Sequence, residues 1–137
     1  MENIIISTEK DQLNVPMIHS FLSERSYWAK GRSLDLVKLS IENSLCFGIY
    51  DLEGKQLGFA RLATDYALFG WLMDVFILEE YRGQGLGKQL IEYVVDHPVV
   101  KKLRRVGLAT SDAHGLYRQF GFSQVLAPEK MMELLRT

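Results

Sequence analysis

Residues 74–90 read Asp-Val-Phe-Ile-Leu-Glu-Glu-Tyr-Arg-Gly-Gln-Gly-Leu-Gly-Lys-Gln-Leu, and no other stretch restricts the fold of this chain so strongly. The first part is a short apolar run with β-branched and aromatic residues, the pattern of a buried strand. The last part opens a helical pattern, with Leu86, Leu90 and Val94 on one line and Ile91 and Val95 beside it. Between the two, Gly83, Gly85 and Gly87 alternate with other residues directly after Arg82. Glycines here let backbone N–H groups approach a bound group with no Cβ in the way. The helix that follows adds unpaired N–H groups and the positive end of its dipole, so the turn suits an anion such as a pyrophosphate.

Two common nucleotide loops fail against this stretch. A dinucleotide fingerprint needs glycine three places beyond Gly85, where Lys88 stands. An ATPase-type phosphate loop needs glycine at Arg82 and Ser or Thr at Gln89.

The remaining elements follow from periodicity and punctuation. Residues 4–6 read as a strand. Residues 15–23 read as a helix with Met17, Ile18, Phe21 and Leu22 on one face, Pro16 being tolerated in its first turn. An aromatic and basic loop spans 26–32, and Ser33 caps a second helix carrying Leu34, Val37 and Ile41. Strands at 45–50, 56–63 and 71–78 come next, the first two joined by a turn at Gly54. The long helix ends before Pro98. Residues 105–110 read as a strand, 113–120 as a helix stopped by Gly121, and 122–126 as a further strand; 131–135 suits either helix or strand. Three consecutive strands pair antiparallel, and the strand–helix–strand unit around the glycine turn pairs parallel. The expected class is α/β (α+β): a mixed, mostly antiparallel sheet with helices on both faces.

Length and charge bound the partners. A chain of 137 residues predicts one domain with a real core. A net charge of −1 without long single-sign runs argues against nucleic acid or an anionic membrane. No apolar stretch approaches the ~20 residues of a membrane span. The first residues lack a signal-peptide pattern, which predicts a cytoplasmic protein. The single cysteine, Cys46, lies in an apolar run and reads as a small buried hydrophobe. His19 and His97 have no companions that would make a metal site, and no metal is expected.

The stretch Arg82-Gly83-Gln84-Gly85-Leu86-Gly87, preceded by a strand and Glu80-Tyr81, resembles the acyl-CoA pyrophosphate motif of the GNAT superfamily of N-acetyltransferases. A second stretch, Leu116-Tyr117 followed by Gly121-Phe122, resembles the late GNAT motif in which a tyrosine on a short helix faces the CoA sulfur. The element order is also that of the GNAT fold. The resemblance implies acetyl-CoA as co-substrate and transfer to an unidentified primary amine, on a small molecule or a protein, in a ternary complex. It assigns the pantetheine arm to backbone groups of Val75, Phe76 and Ile77, with the amide of Phe76 or its neighbour as oxyanion donor. It assigns the pyrophosphate to N–H groups of Arg82, Gly83, Gln84, Gly85, Leu86, Gly87 and Lys88, and the proton for the leaving thiolate to Tyr117. Thr110 stands where many relatives have an asparagine that contacts the cofactor, and Glu79 where many have proline. Asp74 is either a base acting through water, or a carboxylate that hydrogen-bonds structurally or binds the substrate ammonium. The acceptor pocket of the fold maps to Tyr27, Trp28, Arg32, Tyr66 and Phe69. Arg61 has no assigned role. The alternative from another class is a non-catalytic acyl-CoA-binding sensor or interaction domain. Homodimers are common for such small domains, but no stretch identifies an interface.

Overall fold

The computed structural model describes residues 3–136. Five strands, β1 (Ile4–Ser7), β2 (Leu45–Asp51), β3 (Gln56–Thr64), β4 (Phe69–Ile77) and β5 (Arg105–Leu108), form one sheet in sequence order. Pairing is antiparallel from β1 to β4 and parallel between β4 and β5. The mixed sheet expected from the element order is the one observed.

Alternation along the strands sends side chains to two cores. Phe47, Ile49, Ala60, Leu62, Leu72 and Ile77 meet Leu86, Leu90, Ile91 and Val94 of α3 (Leu86–Asp96), so the apolar line read from the sequence is the buried one. On the other face Cys46, Phe59 and Phe76 meet Ile18, Phe21 and Leu22 of α1 (Val15–Ser20) and its π-helical continuation (Phe21–Arg25), with Val37 and Ile41 of α2 (Leu34–Glu42). Ser33 caps α2 as expected, its hydroxyl accepting from the Leu36 N–H at 3.2 Å. Cys46 is buried, which pushes its thiol up to about 11 and leaves it protonated and inert.

The structure adds one element and corrects two expectations. Pro98 ends α3 but also opens a short helix, α4 (Pro98–Lys102), because a first-turn proline loses no helical hydrogen bond. Residues 122–126, expected as a strand, pair with no strand among the described residues. They lie beyond β5 after α5 (His114–Arg118), and no backbone hydrogen bond joins them to it among the described residues. Residues 131–136 are neither helix nor strand.

Candidate active site

The site is built around an irregularity in β4. Phe59 of β3 faces Phe76, yet Arg61, two residues on, faces Met73, three residues back along β4. One extra residue is therefore accommodated as a β-bulge, and Asp74 sits in it with φ at +56. Aspartate tolerates this left-handed region better than most residues. Strict alternation would send Asp74 to the α3 side with Leu72. The bulge turns it instead to the side of Met73 and α1, and Arg61 reaches both, its Nη2 lying 3.7 Å from the Met73 sulfur.

There the Asp74 carboxylate is enclosed by donors. Arg61 Nε donates to Oδ2 at 2.9 Å, Arg32 Nη1 donates to the same oxygen at 2.8 Å, and Trp28 Nε1 donates to Oδ1 at 3.0 Å. Arg61 is in turn held by the Ser44 hydroxyl at 3.0 Å. The Asp74 side chain is 2% exposed and that of Arg61 10%, whereas that of Arg32 keeps 24% in contact with solvent. The expected acceptor residues Trp28 and Arg32 are thus brought onto Asp74. Tyr27 packs edge-on against Trp28, and its hydroxyl receives the Ser111 N–H at 3.4 Å, which ties this loop to the segment leading into α5. Tyr66 and Phe69 are placed elsewhere. They flank the start of β4, Phe69 stacks on Trp71, and no hydrogen bond or ring contact links them to the Asp74 cluster among the described residues.

Arg61 is the residue that motif reading left without a role. A signal was present in the sequence: an arginine inside the run Leu57–Ala63 has to be buried with a counter-charge. Which carboxylate answers it depends on the bulge.

Along the outer edge of β4, pairing with β5 covers only residues 69–72, so residues 73–77 present a free edge. The Leu78 N–H bonds to Leu57 O at 2.9 Å. Antiparallel pairs alternate, so Phe76, two residues earlier, also turns its amide toward β3. Val75 and Ile77 are left to face the open edge, which agrees with the Ile77 carbonyl accepting from Arg82 Nε at 3.1 Å. Of the three residues expected to offer backbone groups there, Phe76 is the one turned away.

The free edge runs directly into the glycine turn. Gly83 and Gly85 have φ of +81 and +79, and Gly85, at the N-cap of α3, has no side chain of its own to bond the first N–H groups. A Cβ at either glycine would meet nothing within 4 Å, so glycine is required by backbone conformation and not by crowding. The exposed N–H end of α3 is suited to an anion.

Tyr117 projects from α5 and is buried, packing edge-on against Phe122 with ring centroids 5.7 Å apart. Burial, with the neighbouring Tyr27 and Asp112, pushes its hydroxyl up to about 12, so it is a proton donor throughout the neutral range. Thr110 accepts from the Ala113 N–H at 3.1 Å, folding the turn that presents α5. Among the described residues no group of His, Cys, Asp and Glu is arranged to hold a metal ion, and no helix is long and apolar enough to cross a membrane.

Kinship matches the geometry. Residues 13–122 match the family model described as Acetyltransferase (GNAT) family. A solved GNAT-family protein from Xanthomonas campestris pv. campestris is 46% identical, with a TM-score of 0.95 over 99% of this chain and 95% of that one. A protein of Gibberella zeae named as an acetyltransferase is 30% identical over 82% of this chain and 75% of its own length. A Mycobacterium tuberculosis protein solved in complex with CoA shares the fold, with a TM-score of 0.72 at 17% identity over 88% of this chain and 72% of that one. This chain belongs to the GNAT family of N-acetyltransferases.

Proposed function

We propose that the chain moves an acetyl group from acetyl-CoA to a primary amine by direct transfer. The observation that carries this reading is the continuous path from the free edge of β4 at residues 73–77 into the positive-φ glycines ahead of α3. Exposed strand edges accept an extended amide-bearing chain as they would another strand. Val75 and Ile77 hold the pantetheine arm, and the N–H groups of the turn and the first residues of α3 hold the pyrophosphate. An amide at the bulge polarises the thioester carbonyl. The amine attacks the carbonyl carbon as a neutral nucleophile, the C–S bond breaks, and the Tyr117 hydroxyl gives its proton to the departing sulfur. The proton lost by the amine goes to solvent.

Asp74 is a positioning residue in this scheme. Its two oxygens already receive three donors, which favours the hydrogen-bonding role over that of a base. It holds Trp28 and Arg32 at the acceptor side of the sheet. The buried Cys46 offers no accessible nucleophile for a covalent acyl carrier, in keeping with direct transfer.

The deciding experiment is a calorimetric titration with acetyl-CoA, with CoA, NAD and ATP as comparisons, followed by thiol release over a panel of amines. Selective binding of the CoA species with amine-dependent release is expected. Tyr117→Phe should keep binding while turnover drops by about 10²-fold or more. Absence of CoA binding would overturn the glycine-turn assignment, binding without release from any amine would favour a sensor, and an unaltered Tyr117→Phe rate would remove Tyr117 from the chemistry.

A further inference from the structure

We infer that the acceptor is a primary amine carrying its own carboxylate, and that Arg32 is the residue that selects it. This assignment, which rests on the acyl-transfer reading, gives that site its substrate class. Three charged side chains meet at the acceptor side of the sheet, the one carboxylate of Asp74 against the two guanidiniums of Arg61 and Arg32. Arg61 is the more buried partner, and Arg32 makes no other ion pair among the described residues. The cluster therefore keeps one positive charge without a counter-charge. A polyamine or a lysine-rich tail is repelled there, and an anionic group is attracted.

The guanidinium of Arg32 commits Nη1 to Asp74 Oδ2 at 2.8 Å. Its other edge, Nε with Nη2, makes no hydrogen bond among the described residues, and neither nitrogen is sealed from solvent. Two parallel N–H groups in a planar fork match the two oxygens of a carboxylate. The fork is held before any acceptor arrives. Gly31 turns the chain at φ +76, its N–H donating to Ser23 O and that of Arg32 to Ala29 O, both at 3.0 Å. The buried Ser26 hydroxyl donates to Leu22 O at 2.7 Å and accepts the Ala29 N–H at 3.0 Å. With Asp74 fixing the far end of the side chain, little freedom is left to lose on binding. Beside the fork stand Trp28, pinned by its indole N–H, and Tyr27, which are 43% and 53% exposed and offer an apolar wall. Tyr27 also neighbours Tyr117, and Asp74 directly precedes Val75 in β4. An acceptor seated on the fork thus has its amine beside the thioester.

The test is thiol release with the proteinogenic amino acids, each beside its α-amide, and with spermidine and O-phosphoethanolamine as comparisons. At least one amino acid is expected to exceed its amide in kcat/KM by about 10–100-fold, the worth of a charge-assisted hydrogen bond, and spermidine to be poor. Arg32→Gln should collapse that ratio toward one through KM while calorimetric binding of acetyl-CoA persists. Arg32→Lys, which keeps the charge without the fork, should restore only part of the ratio. Calorimetric titration of the CoA-loaded protein with the same panel reads the fork without turnover. Amino acids that bind there with no thiol release would support the fork and refute acyl transfer. Amides or spermidine equalling the acids, a wild-type ratio in Arg32→Gln, or an equal loss for every acceptor would overturn the assignment. O-phosphoethanolamine surpassing every amino acid would refute the carboxylate.

Discussion

Replacing Asp74 by asparagine changes one oxygen of a buried carboxylate and leaves its volume unaltered. In the wild type Oδ2 receives Arg61 Nε and Arg32 Nη1, and Oδ1 receives the Trp28 indole. The amide can offer an acceptor to the two guanidiniums or to the indole, but not to both. Whichever way it turns, an N–H of the new side chain faces an N–H donor. The guanidinium of Arg61, with 10% of its side chain exposed, loses its counter-charge. Arg32 is solvated enough to suffer less. Removing one partner of a buried pair costs about 3–5 kcal/mol. For a chain of this length that lowers Tm by roughly 10–20 °C. The assay is thermal or urea unfolding of Asp74→Asn beside Asp74→Leu/Arg61→Met, in which both charges are gone. The double variant should recover part of the loss, because apolar residues in place of a buried pair are often tolerated, while a leucine at φ +56 costs about 1–2 kcal/mol. If Asp74→Asn unfolds within 1 kcal/mol of wild type while turnover collapses, the carboxylate acts on the substrate and the positioning role is wrong.

Three further outcomes follow from particular contacts. Gly58→Ala would set a Cβ 2.6 Å from the Phe76 carbonyl oxygen, a backbone atom of the site strand, so a loss of about 1–3 kcal/mol is expected in urea unfolding, and a neutral result would refute the close approach. The Tyr50 hydroxyl is buried over Gly48 without a hydrogen-bond partner among the described residues, so Tyr50→Phe should raise stability by about 1 kcal/mol; a loss instead would mean the hydroxyl is satisfied. His97 accepts the Val99 N–H at Nδ1, and burial holds its pKa below the usual value of 6.5. The unfolded chain therefore takes up the proton first, and this contribution, present above pH 6.5, is lost as pH falls through the folded pKa. His97→Asn keeps a cap that does not titrate and should flatten the decline in urea midpoint between pH 7 and 5; an unchanged slope would refute the assignment.

Much of this protein was legible in one dimension. Helical spacing from Leu86 to Val95, the glycines after Arg82 and the turn at Gly54 report local backbone geometry, and local geometry is what residue type controls most directly. The mixed sheet followed from the order of these elements, and the motifs at residues 82–87 and 116–122 pointed to the GNAT family. Residues 122–126 were misread because a strand needs a partner, and no backbone hydrogen bond joins them to β5 among the described residues. The role of Arg61 and the orientation of Asp74 were closed to sequence reading for a related reason. Both depend on one extra residue in β4 that shifts its register against β3 and reverses which side chains share a face. The turned amide of Phe76 follows the same register. Residue types and spacings determined the elements, while pairing between distant strands decided which backbone groups remain open and which charges meet, because only the folded sheet brings residues 28, 32, 61 and 74 within hydrogen-bond reach.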